Sequence, residues 1–451
     1  MEPYWLSATE AIRQIQSGEL TSTELIKSCI RRINALEENT KAWEYFEEEA
    51  PMAVAQRIDE LRLRGESVGA LQGVPIGVKD IFNTEEGTTQ MGSPYWKGFT
   101  AGNDARVVAA LKRKGGILMG KTVTAEFAVH HPGPTVNPHN HSRSPGTSSS
   151  GSAAAVAVGM VPLALGTQTA GSTIRPASYC GVYGYKPSFG VVPRTGILKT
   201  IDTLDHVTFF ARSVADIRLI FDLARVGGKN HPFVYEHLDQ CQDGNSPPQW
   251  RVAFVRGPKW HLAEDYAKAA IQGFSDLLRR ENDIQVDEFE LPPIYNRVHE
   301  NHHKIYSKML FYYFQEEVGD RPDIISDVFK EMVEKGRQFS KQDYFNGLAF
   351  QREFQAQVHR DLSGYDIILN LSTSGEAMVG LDTPDKPDNC LVWTFAHVPA
   401  LSVPAFKSPS GLPFGAQLVA GKYADYKLLN FAQLLFDRKI INQAPYPTLP
   451  V

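Results

Sequence analysis

The chain has 451 residues, of which 42% are hydrophobic, and its formal net charge at pH 7 is -5. This composition is typical of a globular protein with one large domain or two to three smaller ones, and its mild acidity argues against nucleic-acid binding as the main activity. We find no secretory signal and no uninterrupted apolar stretch of about 18 residues, so we expect a cytoplasmic protein without a membrane-spanning helix. Four scattered cysteines form no CxxC pair, and we expect free thiols at Cys29, Cys180, Cys241 and Cys390.

Residues 1–65 are predicted to be helical and to pack on a larger body. Ser7 with Glu10, and Thr21 with Glu24, have the Ser/Thr-x-x-Glu spacing of a capping box. Such a box satisfies the free amides at the start of a helix, so the sequence predicts two helix starts here.

From residue 66 onwards, predicted strands alternate with predicted helices. GVPIGVKDIF is a short apolar strand, and NDARVVAALKRKGGILMGKTV combines a helix with a strand at Ile117–Met119. HVTFFA then predicts another strand, and SVADIRLIFDLA predicts the helix after it. This alternation predicts an α/β fold with a large mixed, mostly parallel β-sheet that helices cover on both faces.

After an insertion, residues 361–451 are predicted to return to this sheet. Residues 226–360 begin with a polar, loop-like stretch, contain the strand RVAFV, and otherwise show charged, aromatic-rich helical patterns. Strand patterns resume at Ile367–Leu371, Ala400–Val403 and Gly415–Val419, and a final helix is expected around Tyr426–Phe436. We therefore predict one composite domain in which residues 66–225 and 361–451 share a sheet and residues 226–360 are a mainly helical insertion.

Two clusters of Gly, Ser and Thr in the run 143–187 are the strongest candidates for a functional site. GTSSSGS has the G-x4-G spacing of a phosphate loop but lacks the lysine that follows in such loops, which disfavours phosphate binding. TQTAGS ends on a serine preceded by small residues, a pattern that lets several backbone N–H groups converge on one oxygen. We therefore expect an active site with a serine nucleophile.

A serine nucleophile needs a base, and two kinds of side chain are available. Four histidines precede the first loop, but they form no HExxH motif and have no acidic partner, so we expect no metal site and place them at the rim: His130, His131, His139 and His141. Lys79, at the end of an apolar strand, could act as the base if burial lowered its pKa. Composition alone favours an ordinary solvated lysine.

The segments GVPIGVKD, PGTSSSGSAAA and GSTIRPA resemble, in order and spacing, the amidase signature family. The likeness is strong over about residues 70–225 and looser elsewhere. It implies that Lys79 is the catalytic lysine, Ser148 a cis-serine that relays protons, and Ser172 the nucleophile, with no metal and no cofactor. It further implies a backbone oxyanion hole at Thr169, Ala170, Gly171 and Ser172.

The sequence departs from the usual family pattern beside the nucleophile. Gln168 replaces an acid, and Arg175 stands three residues after Ser172 rather than two. Because the acid is gone, we expect a free guanidinium at Arg175, a form that resembles the malonamidase-like and biuret-hydrolase-like branch. Arg175 could anchor an anionic or carbonyl end of the substrate, with a structural tie to a backbone carbonyl as the alternative. Gln168 is a second candidate for substrate contact.

Two aromatic residues complete the candidate substrate-binding set. Phe127 and Trp393 lie in segments that match pocket-lining segments of the family. A place in the hydrophobic core is the alternative for both residues.

The sequence thus predicts an amidohydrolase that cleaves a small amide or urea-type substrate, with a carboxylate-bearing substrate as one option, and releases ammonia or an amine. In this scheme residues 66–225 carry the catalytic residues and the insertion lies near the substrate entrance. The alternative is a protein resembling the glutaminase subunit of the tRNA-dependent amidotransferase, and a binding protein with a degenerate site is disfavoured because all three catalytic positions are intact. The expected partner is a small amide, with no nucleic acid and no membrane, and a homodimer is compatible with the sequence.

Overall fold

The computed structural model describes residues 2–227, residue 238 and residues 246–447. Its strands are β1 Trp43–Phe46, β2 Pro75–Lys79, β3 Ile117–Thr122, β4 Leu163–Gln168, β5 Tyr183–Lys186, β6 His206–Ala211, β7 Trp250–Val255, β8 Ile284–Phe289, β9 Ile367–Leu371, β10 Ala400–Lys407 and β11 Pro413–Val419. They form one 11-stranded sheet in the order β1-β3-β2-β4-β6-β5-β10-β11-β9-β7-β8.

Thirteen α-helices are found in these described ranges. They are α1 Ala8–Ser17, α2 Ser22–Thr40, α3 Glu49–Leu63, α4 Arg106–Arg113, α5 Ser150–Ala157, α6 Ile174–Cys180, α7 Val214–Ala224, α8 Asp265–Leu278, α9 Val298–Asp320, α10 Asp327–Gln338, α11 Lys341–Leu362, α12 Cys390–Phe395 and α13 Asp425–Asp437. Every residue of β2, β4 and β6 is buried, as expected for strands covered on both faces of a sheet. No helix in the described ranges is long and apolar enough to cross a membrane.

The predicted α/β fold with a large mixed sheet is confirmed, but the expectation of a mostly parallel sheet is wrong. Six of the strand pairings are antiparallel and four are parallel. The antiparallel pairs include β5 with β6 and β10 with β11, which follow each other in the chain and pair directly without a crossover helix.

The N-terminal segment contains both predicted helix starts and one strand that the sequence did not reveal. The Ser7 side chain accepts a hydrogen bond from the Glu10 amide, and the capping box of Thr21 and Glu24 is complete. Strand β1 pairs antiparallel with β3 at the sheet edge, so the prediction of an entirely helical segment 1–65 is wrong there. A strand of four residues is too short for hydrophobic periodicity to identify it.

The segment 226–360 contributes both helices and strands. The predicted strand RVAFV is β7, and β8, which the sequence analysis did not predict, pairs parallel with it; β7 also pairs with β9. Residues 250–289 therefore extend the sheet, whereas α9, α10 and α11 pack around a second hydrophobic cluster. The predicted boundary stretch, including Cys241, lies largely outside the described residues. Cys29, Cys180 and Cys390 are free and buried.

Helix α5 and strand β4 approach each other closely because both are built from small residues. All eight residues of α5 are buried, and the helix packs on β2 and β4. A Cβ atom on Gly151 would lie 2.3 Å from the carbonyl oxygen of Ala42, and one on Gly166 would lie 3.0 Å from the Ser149 Oγ. The N-terminal end of α5 therefore packs closely against the backbone of Ala42 and against strand β4.

A buried aspartate ties the first helix to the body of the protein, and its removal should destabilise the fold. Asp216 Oδ2 accepts a hydrogen bond from Ala8 N (3.0 Å), and Oδ1 accepts from Thr9 N (2.8 Å). Asp216→Ala leaves both amides without this acceptor, so we expect the free energy of unfolding to fall by about 2 kcal/mol. Urea unfolding measures this, with Glu66→Ala at an exposed position as control. Equal midpoints for the two variants would contradict the assignment.

Candidate active site

The amine of Lys79 lies at the centre of a cluster of hydroxyl groups. Lys79 is the last residue of β2 and is fully buried. Its Nζ is 2.7 Å from Ser148 Oγ, 2.9 Å from Thr167 Oγ1 and 3.0 Å from Ser149 Oγ. Burial lowers the pKa of Lys79 well below its ordinary value, although the more distant charge of Asp205 opposes this shift. A neutral amine can donate two hydrogen bonds and accept one, which suits three hydroxyl neighbours.

Three elements bring this cluster together. The carboxyl end of β2 supplies Lys79, the adjacent parallel strand β4 supplies Thr167, and the residues just before α5 supply Ser148 and Ser149. The peptide bond between Thr147 and Ser148 is cis. All of these side chains are buried, so the lysine is shielded from bulk water.

Ser172 lies beside this cluster, on a turn that faces a cavity of about 420 Å³. The Ser149 amide donates a hydrogen bond to the Ser172 carbonyl oxygen at 3.3 Å, which joins the loop before α5 to the turn before α6. Thr147, Thr169 and Ala170 also border the cavity. Ser172 is partly exposed, whereas Ser148 and Lys79 are fully buried. The nucleophile candidate is therefore the member of the set that a substrate can reach.

The carbonyl groups of the turn 169–172 all accept hydrogen bonds. Thr169 O accepts from His302 Nε2 (3.1 Å), and Ala170 O accepts from Thr394 Oγ1 (2.7 Å). Gly171 O accepts from the Arg175 amide at 3.0 Å, and Ser172 O accepts from Ser149 as described above. Within the described part of the chain, the four amides of this turn donate to no other residue. They remain available to stabilise a negatively charged oxygen.

A family model described as Amidase matches residues 24–429. The chain belongs to the amidase family. The predicted resemblance is thus confirmed, while its branch within the family stays a prediction.

The relatives include proteins of more than one kind. One glutamyl-tRNA(Gln) amidotransferase subunit, from Chloroflexus aggregans, is 40% identical over 228 residues, which are 49% of this chain and 47% of that protein. The chain thus spans about half the length of the curated relatives it matches. A protein solved in work on "the evolutionary origins of an s-triazine catabolic enzyme" superposes with a TM-score of 0.87 at 26% identity, covering 97% of this chain and all of that one. An amidase superposes with a TM-score of 0.85 at 25% identity, covering 96% and 100% of the two chains.

The guanidinium of Arg175 is paired with acids, whereas the sequence motif led us to expect it to be free. Its Nε donates to Asp388 Oδ2 at 2.7 Å, and its Nη1 donates to Asp385 Oδ2 at 3.2 Å. The expectation of a free guanidinium is therefore wrong, because two aspartates from a remote segment replace the acid missing at position 168. Asp385 also accepts a hydrogen bond from Thr147 N at 3.0 Å, so this ion pair reaches the residue before Ser148. Arg175 still borders the cavity.

The other predicted substrate contacts are not brought to the cavity. Gln168 is buried; its Oε1 accepts from the amides of Thr173 and Ile174, and its Nε2 donates to Thr394 Oγ1. It therefore supports the start of α6 instead of a ligand. Trp393 is fully buried in the second hydrophobic cluster. Phe127 is also fully buried and packs on two phenylalanine rings of the helical insertion.

The histidines that border the cavity are mostly ones that the sequence analysis did not single out. His130 borders the cavity. His139 does not, and its Nε2 forms a hydrogen bond with the Cys180 carbonyl oxygen. Helix α9 adds His299, His302 and His303. Their i, i+3, i+4 spacing marks one helix face and could have identified them.

Burial is the main cause that lowers the pKa of each histidine at the cavity, so these side chains are neutral near pH 7. Among the residues that the structure describes, no group of three or more His, Cys, Asp or Glu is arranged to hold a metal ion.

The buried amine of Lys79 should make folding stability depend on pH. Between its lowered folded pKa and about 10.4, the unfolded chain binds the proton and the folded chain does not, so the free energy of unfolding rises with pH by about 1.4 kcal/mol per unit. Lys79→Met keeps most of the length of the side chain without the amine and should remove this part of the slope. Urea unfolding across this pH range measures it, with exposed Lys114→Met as control; unchanged slopes in Lys79→Met would contradict a neutral buried lysine.

Proposed function

We propose that the chain hydrolyses the C–N bond of a small amide through an acyl-enzyme on Ser172. The observation that carries this proposal is the contact between buried Lys79 and Ser148, next to a cavity bordered by Ser172. A lysine whose pKa burial has lowered can accept a proton near neutral pH, which an ordinary solvated lysine cannot do. Membership of the amidase family supports the same reaction.

In the proposed mechanism, Ser172 Oγ attacks the amide carbonyl while its proton passes through Ser148 to Lys79. The negative charge that develops on the carbonyl oxygen is received by the backbone amides of Thr169, Ala170, Gly171 and Ser172. The proton returns along the same path to the leaving nitrogen, and ammonia or an amine departs. Water, activated by the same relay, then cleaves the ester on Ser172 and regenerates the enzyme.

We further propose that the substrate is a neutral amide or urea-type compound. Arg175 is the one lysine or arginine among the described residues that border the cavity, and it is paired with Asp385 and Asp388. The histidines there are neutral near pH 7, so these side chains together carry a net negative charge. A substrate carboxylate would meet like charge and would have to displace an existing ion pair.

Replacement of the nucleophile tests the reaction. Ser172→Ala removes the attacking oxygen and should lower kcat for ammonia release from small amides by about 10³-fold or more, with the melting temperature unchanged. A fluorophosphonate should label the wild-type protein at Ser172 and should not label the variant. Ser178→Ala, in the neighbouring helix α6, provides a serine control for labelling. Near-normal turnover in Ser172→Ala would disprove the assignment.

Matched substrates test the charge preference. For a half-amide of a dicarboxylic acid and its methyl ester, we expect kcat/KM to be at least about tenfold higher for the neutral ester, because the paired Arg175 offers no free charge to the carboxylate. Ammonia release assayed at pH 7 to 8 measures both. Equal values would show that the cavity does not discriminate, and a preference for the carboxylate would restore Arg175 as a substrate anchor.

A second candidate function is that of a glutaminase working within a larger assembly. The identity of 40% to a glutamyl-tRNA(Gln) amidotransferase subunit from Chloroflexus aggregans supports it, over about half of each chain. In that case glutamine would be the ammonia donor, and ammonia release would depend on added partner proteins. Turnover of several small amides by the isolated chain favours the hydrolase instead.

A further inference from the structure

We propose that His302 is a positioning residue that orients the backbone turn receiving the oxyanion. The proposal rests on the hydrolase function above. His302 lies on α9, its side chain is buried, and its Nε2 is 3.1 Å from the carbonyl oxygen of Thr169. Because a carbonyl oxygen can only accept, Nε2 carries the proton in this contact.

The geometry of the peptide unit makes this contact relevant to the reaction. In a planar trans peptide, the C=O of one residue and the N–H of the next point in opposite directions. A hydrogen bond that holds Thr169 O therefore also sets the direction of the Ala170 N–H. In the same way, the bond from Thr394 Oγ1 to Ala170 O sets the direction of the Gly171 N–H. Two oxyanion donors are thus oriented by side chains outside the turn.

Both of these side chains come from distant parts of the chain. His302 lies 133 residues after Thr169, and Thr394 lies 224 residues after Ala170. Thr169 has a second contact, since its Oγ1 donates to Asp205 at 2.7 Å. The turn is consequently oriented by the helical insertion on one side and by the C-terminal segment on the other.

The surroundings of His302 favour a neutral ring that donates a hydrogen bond and does not take up a proton. Its ring stacks on Tyr306 with centroids 5.3 Å apart and an angle of 22° between the planes. Burial lowers the pKa of His302 to about 3, so the ring stays neutral over the range in which the enzyme would work. Its Nε2 proton is engaged by Thr169 O, so this proton is held by the backbone of the turn.

Three variants measure this role against the wild-type protein. His302→Phe keeps an aromatic ring but removes the donor, and we expect kcat to fall about 10- to 100-fold with KM within about threefold, somewhat less than the loss of a whole oxyanion donor. His302→Gln keeps an N–H donor at a different reach and should have an intermediate kcat. His359→Phe, an exposed histidine at the end of the same insertion, should behave as wild type.

Binding of a transition-state analogue separates positioning from a general loss of structure. The affinity for a boronic acid that forms a tetrahedral adduct on Ser172 should fall by the same factor as kcat in His302→Phe, while the affinity for the unreactive carboxylic acid product should stay unchanged. Wild-type kcat in His302→Phe, or equal losses for both ligands, would overturn the inference. If His302→Phe does not fold, His302→Gln replaces it in the test: its kcat and its affinity for the boronic acid should both fall below those of the wild type, with its affinity for the product unchanged. Absence of amide turnover in the wild-type protein would instead overturn the proposed function.

Discussion

The burial of one lysine among hydroxyl groups is the constraint on which the rest of the site depends. An amine without a carboxylate partner is costly to charge in a protein interior, so burial at the end of β2 lowers the pKa of Lys79 and favours its neutral form. The acid whose charge influences it, Asp205, already accepts hydrogen bonds from Thr169, Thr200 and Ile201. The small residues of α5 and β4 make this burial sterically feasible, because they let Ser148 and Ser149 approach the amine.

A second buried lysine shows why burial alone does not define a base. Lys121, on the neighbouring strand β3, lies 3.0 Å from Asp80, and both side chains are fully buried. Its Nζ also donates to Thr88 O and Thr89 Oγ1. Lys121, which pairs with Val78 in the sheet, has a carboxylate to balance its charge, whereas the amine of Lys79 contacts only hydroxyl groups.

The walls of the site come from segments of the chain that lie outside the sheet. The C-terminal segment contributes Asp385 and Asp388, which pair with Arg175 and connect it to the backbone of Thr147. The helical insertion contributes the histidine face of α9. The end of strand β2 thus presents Lys79 and the turn that follows β4 presents Ser172, while segments outside the sheet supply the acidic and histidine side chains that border the cavity.

The sequence by itself predicted the α/β class and most strand positions, and it singled out Lys79, Ser148 and Ser172 as catalytic candidates, because each of these inferences rests on local patterns or on motifs in a defined order. It did not determine the strand directions, since pairing is settled between distant segments. It also left open whether Trp393 and Phe127 line the pocket or lie in the core, where both are found, and it did not predict that Gln168 bonds the start of α6 or that Arg175, at the cavity, is paired with acids. Only the tertiary structure decided these points. A polar or aromatic side chain faces a cavity or a partner depending on the residues that pack against it, and many of these are distant in the sequence.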